Sequence, residues 1–294
     1  MPLVSVVILT FDEELNLSSC LASLRGLDAE IFVVDSGSTD RTKQIAIDHD
    51  ALLHEHAFET QARQFNWALD NLPLSAPWVM RLDADERLTT ELAEELRLKL
   101  PRLPEAVSAC WVKRRVYFLG RWIRYGGYYP TWLLRVWRRG KARYEDILMD
   151  EHLVVSGGDR CFLDSDIIDE NRKGVAHWIA KHNCYSDREV KVMLSGSGND
   201  PRSIGGQAAQ RRFLKERVYW RTPFFLRAFL YWGLRYFVLL GFLDGRPGLV
   251  FHFLQGFWYR FVVDAKLFER GRINAETSKN RAELPRPAVD DCGS

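Results

Sequence analysis

Three short apolar runs in the first hundred residues each close on a hydroxyl or carboxyl side chain, with helical stretches between them. That pattern leaves few folds open. Leu3–Thr10 is β-branched and ends on Thr10, Ile31–Val34 ends at Asp35, and Trp78–Leu82 runs into Asp83. Helical spacing recurs between them, at Leu17, Cys20, Leu21 and Leu24, over Thr42–Asp48 behind the start signal Ser38–Thr39–Asp40, and over Gln61–Leu69. Ala51–His54 reads as a weaker strand, and Thr89 or Thr90 caps a helix from Glu91 to Leu100. Strands alternating with helices over short connections predict an α/β fold, a mostly parallel sheet with flanking helices. Ligands of such sheets sit outside the carboxyl ends of the strands, so Thr10, Asp35 and Asp83 should face one crevice.

Asp83 and Asp85 stand two residues apart in the segment Asp83–Glu86. Carboxylates at a strand end suit a hard cation, Mg²⁺ or Mn²⁺, which fills its remaining positions with water and phosphate oxygens. No GxGxxG or GxxxxGK[ST] occurs in the first hundred residues, which argues against a dinucleotide site or a P-loop. The five cysteines are scattered without a CxxC pair and read as reduced thiols of a cytosolic chain. The N-terminus enters a strand directly, and no secretory signal is expected.

Charge is unevenly placed. Residues 1–100 carry 8 Lys/Arg against 18 Asp/Glu, whereas residues 201–270 carry 12 against 4. The basic stretch also holds 18 of the chain's 37 aromatics, between Phe213 and Phe268, so two surfaces with different partners are expected.

The segments Ser5–Glu14, Val33–Asp40 and Arg81–Glu86, in that order, resemble those of the family 2 glycosyltransferases. The resemblance continues through Gln61–Ala68, Met149–His152 and the aromatic C-terminal part, and is nearest to the bacterial subgroup that builds lipopolysaccharide core or other cell-surface glycans. It implies a GT-A fold, a nucleotide-diphosphate sugar donor with a divalent metal, and inversion at the anomeric carbon. It also implies that Thr10 and Glu13 border the nucleotide pocket and that Asp35 bonds the base, commonly uracil. Asp83 would touch the ribose or the metal shell, Asp85 would bind the metal, and Arg63 and Asn66 would help hold the nucleotide. Asp12 stands where the family commonly has Asn. No QxxRW motif of the processive synthases is present, which favours addition of a single sugar.

Inverting transfer needs a base for the acceptor hydroxyl. Asp150 and Glu151 lie where similar enzymes place theirs; Glu151 is the choice and Asp150 the runner-up, since neighbours on an extended segment face opposite ways. His152, His177 and His182 are candidates for a late metal ligand or an acceptor contact, and the aromatic turn Tyr125–Trp132 could stack on sugar or simply pack.

Two apolar segments, 224–243 and 249–268, flank an Asp244–Gly248 turn, each near the length that spans a bilayer. A spanning hairpin would bury Arg235 near the bilayer centre, and a soluble core would be unusually basic and aromatic. An interfacial hairpin fits best, with Arg227 and Arg235 sharing a polar flank toward anionic headgroups. The aromatics form unbroken apolar runs, which speaks against nucleic acid. The organisation expected is a catalytic domain over 1–210 (a nucleotide-sugar half, 1–104, and an acceptor half, 105–210). A membrane-associated helical region follows over 211–275, then a disordered tail over 276–294. A membrane seat implies a lipid-linked glycan acceptor at the cytoplasmic face of a bacterial inner membrane. The rivals are transfer onto polyprenyl phosphate and a non-catalytic carbohydrate-binding scaffold.

Overall fold

The computed structural model describes residues 1–145, 153–195 and 222–283. Four strands, β1 (Val4–Thr10), β2 (Ala29–Asp35), β3 (Leu52–Glu55) and β4 (Trp78–Asp83), pair in parallel in the order β3–β2–β1–β4. Helices α1 (Leu17–Ala22), α2 (Thr42–Asp48) and α3 (Gln61–Asn71) make the crossovers. Beyond β4 come β5 (Glu86–Leu88) and α4 (Thr90–Lys99), capped by the Thr89 hydroxyl, which accepts the Leu92 N–H at 3.1 Å. The sheet then turns mixed. β6 (Val107–Phe118) pairs antiparallel with both β7 (Arg121–Ile123) and β8 (Thr131–Arg138), and β8 pairs antiparallel with β4. β9 (Ala142–Tyr144) and β10 (Leu153–Val155) form a separate ribbon, and β11 (Asp159–Asp169) lies parallel to β6 and antiparallel to β5.

Strands β1 and β4 are mostly apolar and buried because both sheet faces are covered. Val4, Val6, Ile8, Met80 and Leu82 meet α1 and α4 on one face, while Val7, Phe32, Val34 and Val79 meet Phe65, Trp137 and Tyr144 on the other. The registers Thr10↔Asp35 and Leu9↔Asp83 bring the polar strand ends level at one edge, as the alternation requires.

The C-terminal part departs from the expected hairpin. Helix α5 (Gly174–Ser195) is followed by α6 (Leu226–Gly233), which continues in wider π turns to Val238. The chain reverses at Leu239 and Leu240, not at 244–248. Gly245–Gly248 instead open α7 (Gly245–His252), which runs on through Phe253–Trp258 into α8 (Tyr259–Glu283). Asp244 supplies the reason. Its buried carboxylate accepts the backbone N–H groups of Arg124 at 3.0 Å and Tyr125 at 3.1 Å, and contacts His252 Nε2 at 3.2 Å. The Gly126 N–H donates to the Leu239 carbonyl at 2.9 Å. The reversal is thus fixed by its grip on the β7–β8 turn, which hydropathy cannot register.

Arg227 corrects a second expectation. It is 2% exposed and paired with the fully buried Asp264 of α8, whose other oxygen accepts the Phe225 N–H at 2.8 Å. Arg235 also turns inward: Nε donates to the Gly126 carbonyl at 2.7 Å, and the guanidinium lies 3.8 Å from the Tyr128 ring centre. The two arginines therefore share no polar flank. Helix α5 packs on α8 through Glu189, which accepts from Tyr259 Oη at 2.6 Å and Arg260 at 2.9 Å. Helix α8 extends to Glu283, past the boundary at 276 where the tail was expected to begin. Among the described residues no single helix is long and apolar enough to cross a membrane; Leu226–Val238 and Gly241–Gly271 qualify only together, bent by 71°.

Removing one partner of a buried ion pair leaves the other charge without compensation. Asp264→Ala is expected to cost about 3–5 kcal/mol in chemical denaturation, with Arg227→Leu/Asp264→Leu regaining most of it.

Candidate active site

Asp35 organises the loop after β2. Its Oδ1 accepts the N–H groups of Gly37 at 3.0 Å and Ser38 at 2.7 Å, and its Oδ2 accepts the hydroxyls of Thr10 at 2.9 Å and Ser38. Gly37 sits at φ +90°, a conformation that favours glycine. Asp12 closes the loop from the other side, where its side chain accepts the Thr39 N–H at 2.8 Å; one carboxylate oxygen suffices for that bond. Glu13 accepts from Asn16 at 2.8 Å and from Lys173 at 2.6 Å, which draws the segment after β11 over the crevice.

At the end of β4 the charges interlock. Asp83 receives Arg81 at 2.9 Å and Arg135 of β8 at 3.0 Å. Burial alone would raise this carboxyl, but the two guanidinium groups outweigh it and hold it well below the usual carboxylate range. Glu86 accepts the Asp83 N–H at 3.0 Å and Arg135 at 2.5 Å. Burial pushes Glu86 up to about 7, with the charges of Asp83 and Asp169 adding to the effect and Arg135 opposing it. Asp85 keeps one contact, accepting Asn171 Nδ2 at 2.9 Å. Asp169, at the end of β11 and paired in register with Glu86, accepts Arg114 at 3.2 Å. Burial and the Asp85 charge push it up to about 6.

Asp85 and Asp169 both line a cleft of ≈ 280 Å³ whose far wall is α5 and the C-terminal hairpin. Among the described residues no three His, Cys, Asp or Glu side chains converge as a metal cage. Asp85, bonded to the Asn171 amide, and Asp169, paired with Arg114, both open on this cleft, and two such carboxylates fit a hard cation.

Residues 5–170 match the sequence model of glycosyl transferase family 2. The chain belongs to that family. It is 31% identical over 300 residues to the lipopolysaccharide core biosynthesis glycosyltransferase LpsC of Rhizobium meliloti, covering 98% of this chain and 96% of LpsC. Among solved structures it is similar to a mannosyltransferase from Pyrobaculum calidifontis determined with GDP-Man and Mn²⁺. The TM-score is 0.53 at 17% identity, covering 91% of this chain and 87% of that one. The fold is GT-A, a sheet with parallel strands and flanking helices, and the protein is a glycosyltransferase.

In this glycosyltransferase the strand-end residues Thr10, Asp35 and Asp83 do share one edge, with Glu13 beside them. Asp35 is fully buried, and its two oxygens accept from Gly37 and Ser38 of its own loop and from Thr10 of β1. Asn66 accepts the Tyr144 N–H at 3.0 Å and donates to the Tyr144 carbonyl at 2.9 Å, so it clasps β9. Arg63 is exposed on α3 beside Glu59 at 2.8 Å. His177 and His182 line the cleft, the latter stacked on Trp178 with ring centres 3.5 Å apart. Asp150, Glu151 and His152 lie outside the described residues.

The sequence reading missed Asp169, Arg135, Glu86 and Lys181. Asp169 ends a strand just as Asp83 does, but β11 is half polar and carries no apolar run to reveal it. A structural and a chemical carboxylate separate by stability. In urea denaturation Asp35→Ala is expected to lose about 3 kcal/mol through unmade loop bonds, and Asp85→Ala to stay within about 0.5 kcal/mol of wild type.

Proposed function

We propose that this glycosyltransferase moves one sugar, with inversion, from a UDP-sugar to a lipid-linked glycan acceptor in bacterial lipopolysaccharide or cell-surface polysaccharide synthesis. The observation that carries it is the placement of Asp85 and Asp169 beside the strand end at Asp83, both lining a cleft that Phe251 and Gln255 of the C-terminal hairpin also line. Asp85 and Asp169 would hold Mg²⁺ or Mn²⁺, with Asp83 bonded to Arg81 and Arg135 beside them, and the cation would supply charge neutralisation for the departing diphosphate. Glu151 takes the acceptor hydroxyl proton as its oxygen bonds to C1; the C1–O bond to the diphosphate breaks on the opposite face, and UDP leaves. Asp150 is the alternative base. The similarity to LpsC over nearly the whole chain supports the lipopolysaccharide setting.

The hairpin supports a seat on the cytoplasmic face of the inner membrane. Its ionisable residues Arg227, Asp244, His252 and Asp264 are buried and mutually bonded. Exposed on it are Phe229, Leu230, Phe237, Val238, Leu240 and Leu243, with Val238 68% exposed, together with Arg246. Exposed apolar side chains beside a cation suit the headgroup–acyl boundary.

Calorimetric titration of UDP is expected to show micromolar binding only with Mn²⁺ or Mg²⁺, abolished by Asp85→Ala. Glu151→Gln should keep donor affinity and lose about a hundredfold or more in turnover. Metal-independent binding, or GDP preferred to UDP, would redirect the donor assignment. In flotation with phosphatidylglycerol-containing vesicles the protein should rise with the lipid and Phe237→Asp/Val238→Asp should not, while UDP affinity stays unchanged. A wild-type protein that remains in the aqueous fraction would remove the membrane seat.

A further inference from the structure

Resting on the donor reading above, we propose that the cleft between α5 and the hairpin binds the acceptor sugar and that Lys181 selects acceptors bearing an anionic group, carboxylate or phosphate. The donor side lies over β1, β2 and β4, and none of Thr10, Glu13 or Asp35 lines this cleft. Asp85 of the acidic centre and Phe251 and Gln255 of the hairpin both line it, so one space joins the acidic strand ends to the C-terminal helices.

The lining identifies the chemistry. Tyr117, Tyr128, Trp178 and Tyr185 are among the lining residues, and an aromatic lining suits the C–H surface of a pyranose. The volume is at the lower end for small-molecule sites and takes about one sugar residue rather than a chain of them. The neighbouring cations are already spent. Arg114 is paired with Asp169 at 3.2 Å, Lys173 with Glu13 at 2.6 Å, and Arg87 with Glu170 at 2.6 Å. Lys181 lines the cleft with no carboxylate within 4 Å among the described residues, facing Asp85, Glu13 and Asp83 at longer range, and its Nζ lies 5.9 Å from the Tyr185 ring centre. An ammonium placed beside an aromatic platform, one helical turn from Tyr185, is matched by a sugar that carries its own negative charge.

Binding of glucuronate, glucose 6-phosphate and glucose, followed by saturation-transfer NMR, tests this directly. One or both anionic sugars should bind about tenfold tighter than glucose, and whichever does so identifies the carboxylate or the phosphate as the group read. Lys181→Gln should erase that preference and Lys181→Arg should retain it, with UDP affinity unchanged in both. Equal binding of charged and neutral sugars to the wild type overturns the proposal. So does inorganic phosphate competing as well as glucose 6-phosphate, or Lys181→Gln weakening UDP in place of the sugar. A wild type that fails to bind UDP would sink the donor reading alone, because the sugar preference is measured without donor.

Discussion

Arg135 of β8, buried between Asp83 and Glu86, is the contact on which the site depends. Three carboxyl groups, Asp83, Glu86 and Asp169, meet where β4 and β11 end and β5 begins, and burial would drive all of them toward the neutral acid. One guanidinium resolves the conflict unequally. It keeps Asp83 ionised with help from Arg81, while Glu86 and Asp169 stay raised. Asp85, just beyond the clamp, is left facing the cleft with a single amide contact. An acidic centre that can receive a cation thus stands on a rigid, charge-compensated base.

The C-terminal hairpin is tied to that centre through one turn. Asp244, Arg235 and the Leu239 carbonyl all bond the backbone of 124–126, and Tyr128 of the same turn lines the cleft. An alanine at Gly126 would combine φ +68° with overlap onto the His252 ring, so this glycine permits the approach. The polar residues that made a spanning hairpin costly are therefore the ones that fasten it to the catalytic domain. The same packing builds the cleft wall and leaves apolar side chains such as Phe237 and Val238 exposed on the outer side.

Much of the first half was legible in sequence. Strands β1, β2 and β4 and helices α2 and α3 lie close to where period and capping placed them, because strands buried on both faces read as plain apolar runs. Asp83 and Asp85 were legible for the same reason, as the carboxylates that end such a run. Asp35 and Asn66 stood out equally by motif, yet their side chains are consumed by Gly37, Ser38 and Tyr144. Residue type gives the bonding capacity of a side chain and says nothing of whether neighbours have already used it.

The sequence by itself determined the family, the strand–helix order, the acidic strand ends and an apolar, basic C-terminal region. Only the tertiary structure decided which charges are spent inside and which remain at a surface. Arg227 reads as a headgroup contact until Asp264, 37 residues away, neutralises it, and Asp169 reads as an ordinary loop acid until β11 lies beside β5. Local pattern encodes burial and period, which depend on a few adjacent residues. Charge compensation depends on partners brought together across the sheet, and these have no signature at short range.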